Sequence, residues 1–331
     1  MISSHTAKSQ PQLVLAIDLG GTHINCGLAR WDRLLGNISL DCPSTVALEP
    51  LLPSIAAALR ALLQQNGAGA GELAGIALGF CGIVDSRANR IASTNGKYED
   101  APGIDLIGWA QAEFGVPLHM ENDARLALLG ESFAGAARNQ TDVVMFTLGT
   151  GIGGVAMIDG KPLAGRHGQA GLLGGHFPVR MDGRPCTCGG RGCAESEAGG
   201  WALPGVCRDW PGFAQSALAH ADLDFKNLFT LAAGGDKVAL EIREHCMRAW
   251  ALAAVAAVHA FDPTLILYGG GVMRSADVIL PYIQKVIANE TWTPWGTVNV
   301  CAAALGQNAA LFGGVPLLRN AGIPVGATDV R

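Results

Sequence analysis

Charge is scarce in this sequence. Asp, Glu, Lys and Arg make up 15% of the residues, the net charge is −5, and no run of basic residues exceeds two. A nucleic-acid surface needs clustered Lys and Arg, so a nucleic-acid partner is not expected. Long apolar runs are missing too. The most apolar helical stretch, Ala249–Phe261, is too short to span a bilayer and contains His259, so no membrane partner is expected either. Met1–Pro11 is a polar stretch without the apolar core of a signal peptide and is expected to be a flexible tail. No long linker or low-complexity segment interrupts the rest. The cysteines number nine, which is odd, and without a secretory signal the simplest expectation is reduced thiols in a cytoplasmic protein.

What is present is apolar residues and glycine. The chain has 331 residues, 49% of them hydrophobic, and 45 glycines. That is enough for two domains with their own cores, tilted towards turns and backbone-lined sites. Two segments echo each other: LVLAIDLGGTHINCGLA (Leu13–Ala29) and VVMFTLGTGIGGVAMIDG (Val143–Gly160). Each reads as an apolar strand, a Gly/Thr turn and a second strand, and Asp159-Gly160 adds a tight hairpin signal. Between and after them the periodicity predicts helices over 48–65, 104–114, 124–136 and 237–261. Strands are expected over 74–80, 116–123 and 265–272, and closing helices from about Pro281 and Gln307. The chain therefore reads as two related α/β halves.

Three turns and one strand end carry candidate chemistry. Asp18-Leu19-Gly20-Gly21-Thr22 puts a carboxylate at the end of a buried strand and two glycines in a turn. Backbone amides there can approach a phosphate, Thr22 adds a donor, and Asp18 would face the metal that accompanies a nucleotide. A plain glycine-rich hairpin explains the same residues, which match neither a Walker loop nor a GxGxxG fingerprint. Gly149-Thr150-Gly151 repeats the pattern, and the repetition favours a shared use on a triphosphate over two unrelated β-turns. Gly269-Gly270-Gly271 fits close passage of a nucleotide base or ribose, or simply the start of a helix. Glu121-Asn122-Asp123 ends an apolar strand just before a helix. Asp123 there could accept a proton from a substrate hydroxyl and Asn122 could hydrogen-bond a sugar; equally, the pair could be an N-cap.

The densest cluster is HFPVRMDGRPCTCGGRGCAE, His176–Glu195. His176, Cys186, Cys188 and Cys193 form a full tetrahedral ligand set for structural zinc, while Cys-x-Cys spacing is poor for an unstrained disulfide. The remaining cysteines, Cys26, Cys42, Cys81, Cys207, Cys246 and Cys301, read as small core hydrophobes.

Taken in order, AIDLGGT, ENDA, TLGTGIGGV, GGH, CTCGGRGCAE and YGGGV resemble the ROK family of bacterial sugar kinases, repressors and open reading frames. The likeness runs from about Leu13 to Gly314. Its most specific part is GH-x6-G-x2-C-x-C-G-x2-G-C-x-E. The resemblance implies an actin-like ATPase (ribonuclease H-like) fold of two α/β lobes around a central cleft, commonly as a homodimer. We expect a smaller lobe of 12–122 with about 306–331, and a larger lobe of 123–305 that carries the zinc loop. It implies transfer of the γ-phosphate of Mg-ATP to a hexose, usually at the 6-hydroxyl. Carried over by position, Asp123 is the catalytic base, and Asn95, Asn122, Asp123, His176 and Glu195 bind the sugar. Asp18, Gly20, Gly21, Thr22, Thr150 and Gly151, with Gly270 and Gly271, surround ATP and magnesium. His176 also joins Cys186, Cys188 and Cys193 on zinc.

Two positions depart from the family pattern. Leu172 stands where the family usually has a sugar-binding Glu, with one extra residue before His176, and His23 follows the first turn where a lysine is common. Glucose, allose and N-acetylhexosamines all remain as substrates, as does a non-catalytic sugar-binding role. A repressor is not expected, because about a dozen residues precede the first strand, too few for a winged helix.

Overall fold

A computed structural model describes residues 12–20, 23–42, 47–94 and 96–326. The chain forms two compact units: 1–138 with 166–168 and 307–331, and 139–165 with 169–306. The first break falls after Arg138 rather than ahead of Asp123, because the helix that begins at Asp123 packs on elements of the first unit.

In the first unit the order is β1 (Leu13–Leu19), β2 (His23–Arg30), β3 (Arg33–Asp41), α1 (Leu52–Gln65) and β4 (Leu73–Phe80). A small ribbon of β5 (Ile83–Asp85) and β6 (Arg90–Ser93) follows, then α2 (Leu106–Phe114), β7 (Leu118–Asn122) and α3 (Asp123–Ala134). The main sheet has the order β3-β2-β1-β4-β7. β1 pairs antiparallel with β2 but parallel with β4, and β4 is parallel with β7. β4, LAGIALGF, is buried at every residue, as a central strand covered on both faces must be. β1 sends Leu13, Leu15, Ile17 and Leu19 into one core and Val14 into another, the two-residue period of a strand with helices on both sides. β3, at the edge, has only exposed and half-buried residues.

The second unit repeats this plan. Its strands are β8 (Val143–Leu148), β9 (Ile152–Ile158) and β10 (Lys161–Pro162), followed by α4 (Ala194–Ala198), α5 (Leu203–Arg208), α6 (Phe225–Ala233) and α7 (Lys237–Phe261). β11 (Leu265–Gly269), α8 (Ala276–Glu290) and β12 (Asn299–Ala302) complete it. The sheet order β10-β9-β8-β11-β12 matches the first sheet strand for strand, with the same change from antiparallel to parallel at the third strand. Asp159 and Gly160 both take positive φ, 51° and 71°, as the hairpin between β9 and β10 requires. Finally α9 (Ala309–Phe312) and α10 (Gly314–Asn320) pack on α3 and on the first sheet.

α7 carries much of the second core. Ala249, Ala251, Ala253, Ala254 and Ala257 are buried, and small side chains let α4, α6 and α8 pack against it. Trp250 donates from Nε1 to the Ala198 carbonyl at 3.0 Å, and Tyr268 donates to the Trp250 carbonyl at 3.1 Å, so both buried polar tips are paired.

Three expectations are corrected. α8 starts at Ala276, not near Pro281, which lies inside it. The buried stripe Ile279, Ile283, Val286 and Ile287 outweighs the cost of one interior proline. β11 stops at Gly269 because Gly270 takes φ 92°, where a Cβ would lie 2.2 Å from the Leu148 carbonyl oxygen. Cys81 and Cys301 are half-buried rather than core residues; Cys26, Cys42, Cys207 and Cys246 are buried as expected. No helix among the described residues is long and apolar enough to cross a membrane.

Candidate functional site

The parallel strands β1, β4 and β7 all end at one edge of the first sheet, and the first group of candidate residues collects there. Asp18 pairs in register with Gly79, Phe80 with Asn122, and α3 starts directly from the end of β7. A Cβ at Gly79 would lie 3.0 Å from Leu126 Cδ2, 3.5 Å from Asp18 Oδ1 and 3.4 Å from the Cα of Asp123, so the two aspartates flank one glycine.

Asn122 is the N-cap of α3: its Oδ1 accepts from the Ala124 and Arg125 amides at 3.0 and 3.2 Å. Its Nδ2 donates to the Gly82 carbonyl at 3.0 Å and to Asp123 Oδ1 at 2.9 Å. The cap and the acid are therefore one arrangement. Asp123 Oδ1 also accepts from the Ala124 amide at 2.8 Å, which fixes the carboxyl and leaves Oδ2 outside these bonds. Burial pushes Asp123 up to about 6, against the hydrogen bonds from Ala124 and Asn122. Burial, then the Asp123 charge, raise Asp18 to about 7, with an Asn25 hydrogen bond opposing them.

These shifts predict two pH dependences. A base at Asp123 must be ionised, so kcat/KM should fall as the pH drops through about 6. A pH–rate profile that stays flat down to pH 5 would remove Asp123 from that role. Stability runs the other way. Both carboxyls titrate above their ordinary range in the fold, so what they contribute is fully present below about pH 4 and lost as pH rises through 6 to 7. Asp18→Asn should erase part of that loss, read as a higher Tm than wild type at pH 8 and little difference at pH 4.5.

Behind the edge, Arg125 is fully buried against Glu121 at 3.4 Å and donates to the Gly168 carbonyl at 3.0 Å. Glu121 also accepts from Ser86 Oγ at 2.7 Å and from the Asn122 amide at 2.8 Å. This brace was not foreseen. Its only signal is the i,i+4 spacing of Glu121 and Arg125 across a strand–helix junction.

In the second unit, the β8–β9 turn is closed by the Gly149 amide on the Gly151 carbonyl at 3.0 Å. Glu195 belongs to this turn: Oε2 accepts from the Ile152 amide at 2.8 Å and Oε1 from Trp201 Nε1 at 3.1 Å. The Trp201 amide in turn donates to the Thr150 carbonyl at 2.8 Å. Glu195 is thus brought together with Thr150 and Gly151, and Trp201 is a neighbour that no motif pointed to. Gly270 and Gly271 follow β11, beside a cavity of about 400 Å3 lined by Phe225, Phe229 and Val272 with Lys226, Arg243 and Arg274.

The four candidate metal ligands converge. One donor atom from each of His176, Cys186, Cys188 and Cys193 lies within 4.8 Å of the others. His176 Nδ1 is 3.5 Å from Cys186 Sγ, and Cys188 Sγ is 3.7 Å from Cys193 Sγ. Metal–sulfur bonds of ~2.3 Å and metal–nitrogen bonds of ~2.0 Å at a tetrahedral ion place sulfurs ~3.8 Å apart and sulfur and nitrogen ~3.5 Å apart. The His176–Cys186 and Cys188–Cys193 pairs therefore have the spacing of ligands on one tetrahedral ion.

Two local features hold the loop in place. A Cβ on Gly175 would lie 1.9 Å from the Ile152 carbonyl oxygen, so the turn carrying His176 touches β9 backbone to backbone. Gly175→Ala should cost roughly 1–3 kcal/mol by overpacking, measured as a lower Tm. The second feature is Glu197, buried two residues beyond Glu195. Its Oε1 accepts from the Arg184 amide at 2.7 Å, and its Oε2 lies 3.2 Å from His245 Nε2 and 3.7 Å from Arg180. Two residues along a helix face opposite ways, so α4 turns Glu195 to the Gly/Thr turn and Glu197 to the metal-ligand loop.

Gly20 closes the first turn, its amide donating to the His23 carbonyl at 3.1 Å. Gly21, Thr22 and Asn95 lie outside the described residues. The His23 side chain is 55% exposed and lies 3.5 Å from Asp41.

Two mixed sheets of identical strand order, each bearing a Gly/Thr turn between its antiparallel strands, define an actin-like ATPase fold. The ROK family model matches residues 14–321, and the chain belongs to the ROK family. It is 30% identical to a glucokinase of Thermotoga maritima over 92% of this chain and 97% of the relative. The ROK hexokinase of Thermus thermophilus superposes with a TM-score of 0.76 at 29% identity, covering 92% of this chain and 97% of that one. A ROK glucokinase from Streptomyces griseus, in complex with glucose and AMPPNP, gives a TM-score of 0.73 at 29% identity over 93% and 99% of the two chains.

Proposed function

We propose that this protein is an ATP-dependent hexose kinase that passes the γ-phosphoryl group of Mg-ATP to a sugar hydroxyl, with the 6-hydroxyl as acceptor. The observation that carries the reading is the edge of the first sheet. There Asp123 is oriented through Oδ1 by Asn122 and the Ala124 amide, and a second carboxyl, Asp18, flanks the same glycine.

Oδ2 of Asp123 takes the proton of the attacking hydroxyl as the bond to phosphorus forms. The bond to the bridging oxygen breaks, and ADP leaves with that electron pair. Asp18 is the group that would hold the magnesium, which supplies positive charge to the phosphates when bound. The backbone at Gly20, Thr150 and Gly151 approaches the phosphates, and the cavity beside Gly270 and Gly271, with apolar walls and a basic rim, suits the nucleoside end. His176 and Glu195, with Asn95, are sugar contacts. Asn122 acts on the sugar through Asp123, since its own amide is already committed to Gly82, Asp123 and the helix start. Zinc on His176, Cys186, Cys188 and Cys193 would be structural, because all four donors come from the protein. A cytoplasmic homodimer is the form supported by the family likeness.

A coupled assay of ADP release over hexoses, allose and N-acetylhexosamines tests this reading. Acetylated sugars belong in the panel because Leu172 and Leu173, the latter 52% exposed, put apolar surface next to the turn that carries His176. ADP release that depends on a sugar names the substrate. Folded, metal-loaded protein that releases no ADP with any sugar overturns the kinase.

A further inference from the structure

Three cations line the cavity beside Gly270 and Gly271: Lys226 from α6, Arg243 from α7 and Arg274 from the turn ahead of α8. Asp277 is the one acid among the lining residues. Arg243 stands apart from the other two cations. Lys226 and Arg274 are exposed, whereas Arg243 is half-buried, with its Nε enclosed and without an acceptor. Among the described residues, no hydrogen bond or ion pair engages the rest of its guanidinium. An arginine carries five N–H donors in a planar fork, and an enclosed donor without an acceptor costs free energy. Phe225, Phe229 and Val272 give the same cavity apolar walls. Apolar walls with a few convergent polar groups are the lining that a flat heteroaromatic ring takes.

The cavity also adjoins the Gly/Thr turn between β8 and β9. Gly270 takes φ 92° and leaves no room for a Cβ against the backbone of Leu148, the residue that leads into Gly149-Thr150-Gly151. A nucleotide with its phosphates on that turn passes Gly270 to bring its base into the cavity.

We propose that Arg243 reads the purine of ATP, its guanidinium donating a hydrogen bond to an acceptor nitrogen of the ring. The inference rests on the kinase reading above and names the base contact of that same site. A guanidinium has donors only, so it can pair with N1, N3 or N7 of adenine but not with the exocyclic amino group, itself a donor. Lys226 and Arg274, being exposed, add a positive field that draws an anionic nucleotide without fixing its base. For Arg243 a bond to the base supplies an acceptor that the fold does not. A residue that supplied charge alone would strengthen ATP and every ring analogue of it equally.

The test is calorimetric binding of ATP and of its deaza analogues at N1, N3 and N7, each with magnesium, to wild type, Arg243→Leu and Arg243→Met. Each analogue replaces one ring nitrogen by C–H and keeps the phosphates. Wild type should bind one of the three about tenfold or more weakly than ATP, the effect of losing one hydrogen bond to a charged group. Both variants should bind ATP more weakly by a similar factor and no longer tell it from that analogue. In steady-state kinetics the loss should appear in the KM for ATP and not in the KM for sugar. Wild type that binds all three analogues as tightly as ATP overturns the assignment, and so do variants that still discriminate. Should Arg243→Leu not fold, Arg243→Met decides it, and the wild-type comparison needs no variant. Failure of the kinase reading shows separately, as wild-type protein that binds ATP but releases no ADP with any sugar, and the analogue comparison can still be read in that case.

Discussion

Asp123→Asn will turn over sugar more slowly by on the order of 10²–10⁴-fold, the range a positioned general base contributes. Sugar and nucleotide affinity should change little. The expectation is specific because of how Asp123 is held. Its Oδ1 accepts from the Ala124 amide and from Asn122 Nδ2, and an asparagine placed with its own oxygen there keeps both bonds. What it loses is the basic oxygen. Burial raises Asp123 to about 6, so the charged form is disfavoured in the fold, and the neutral amide removes that cost above pH 6. The variant should therefore melt at or above the wild-type temperature at pH 8. Single-turnover kinetics, sugar binding by calorimetry and a thermal melt separate the outcomes. Retained turnover takes the base away from Asp123. Lost turnover with a collapsed Tm would make Asp123 a structural residue of the α3 start.

The second large effect is expected at the metal-ligand loop. Cys188→Ser should abolish bound zinc, measured by elemental analysis of purified protein, and lower Tm by roughly 10 °C, which corresponds to a few kcal/mol in a protein of this size. Cys188 is the exposed member of the four and Cys193 the most deeply buried. Without an ion, burial pushes the Cys193 thiol up to about 12, while the Gly190 amide lowers Cys188. An ion must displace these protons, so its binding weakens as pH falls. Four glycines of the loop, Gly183, Gly189, Gly190 and Gly192, supply no side chains to pack. Sugar-dependent turnover should fall with the metal, because the turn carrying His176 and the start of α4 bearing Glu195 flank the cluster. Zinc content unchanged in Cys188→Ser would refute the ligand set.

Local signals announced much of this. The repeated strand–turn–strand pattern at Leu13 and Val143 carried the duplication, and the two sheets share one strand order because each repeat pairs its strands by the same rules. α7 matches its expected bounds of 237–261 because nothing in it interrupts the periodicity and Asp236 and Asp262 cap its two ends. The convergence of the four candidate metal ligands was legible because they lie within one short loop, so spacing alone nearly brings them together. Asn122 and Asp123 were legible as a strand end followed by a helix.

Properties that depend on distant parts of the chain meeting were not legible. Pro281 reads as a helix start, but packing of the Ile279–Ile283–Ile287 stripe carries α8 through it. Glu195 reads as a sugar contact, and only the fold shows its carboxylate holding the Ile152 amide 43 residues away. Arg125 on Gly168 and Lys97 on Gly20 are likewise contacts at separations of 43 and 77 residues. The amino-acid sequence by itself determined the family, the repeated α/β plan, the clustering of His176 with Cys186, Cys188 and Cys193, and the residues at the end of β7, because those follow from local pattern and short spacing. Only the tertiary structure decided that Asn122 orients Asp123 through an amide already in use, that Glu195 and Glu197 face opposite ways, and that Lys97 reaches the first turn. Each of these depends on burial and long-range pairing, and a local window of sequence contains neither.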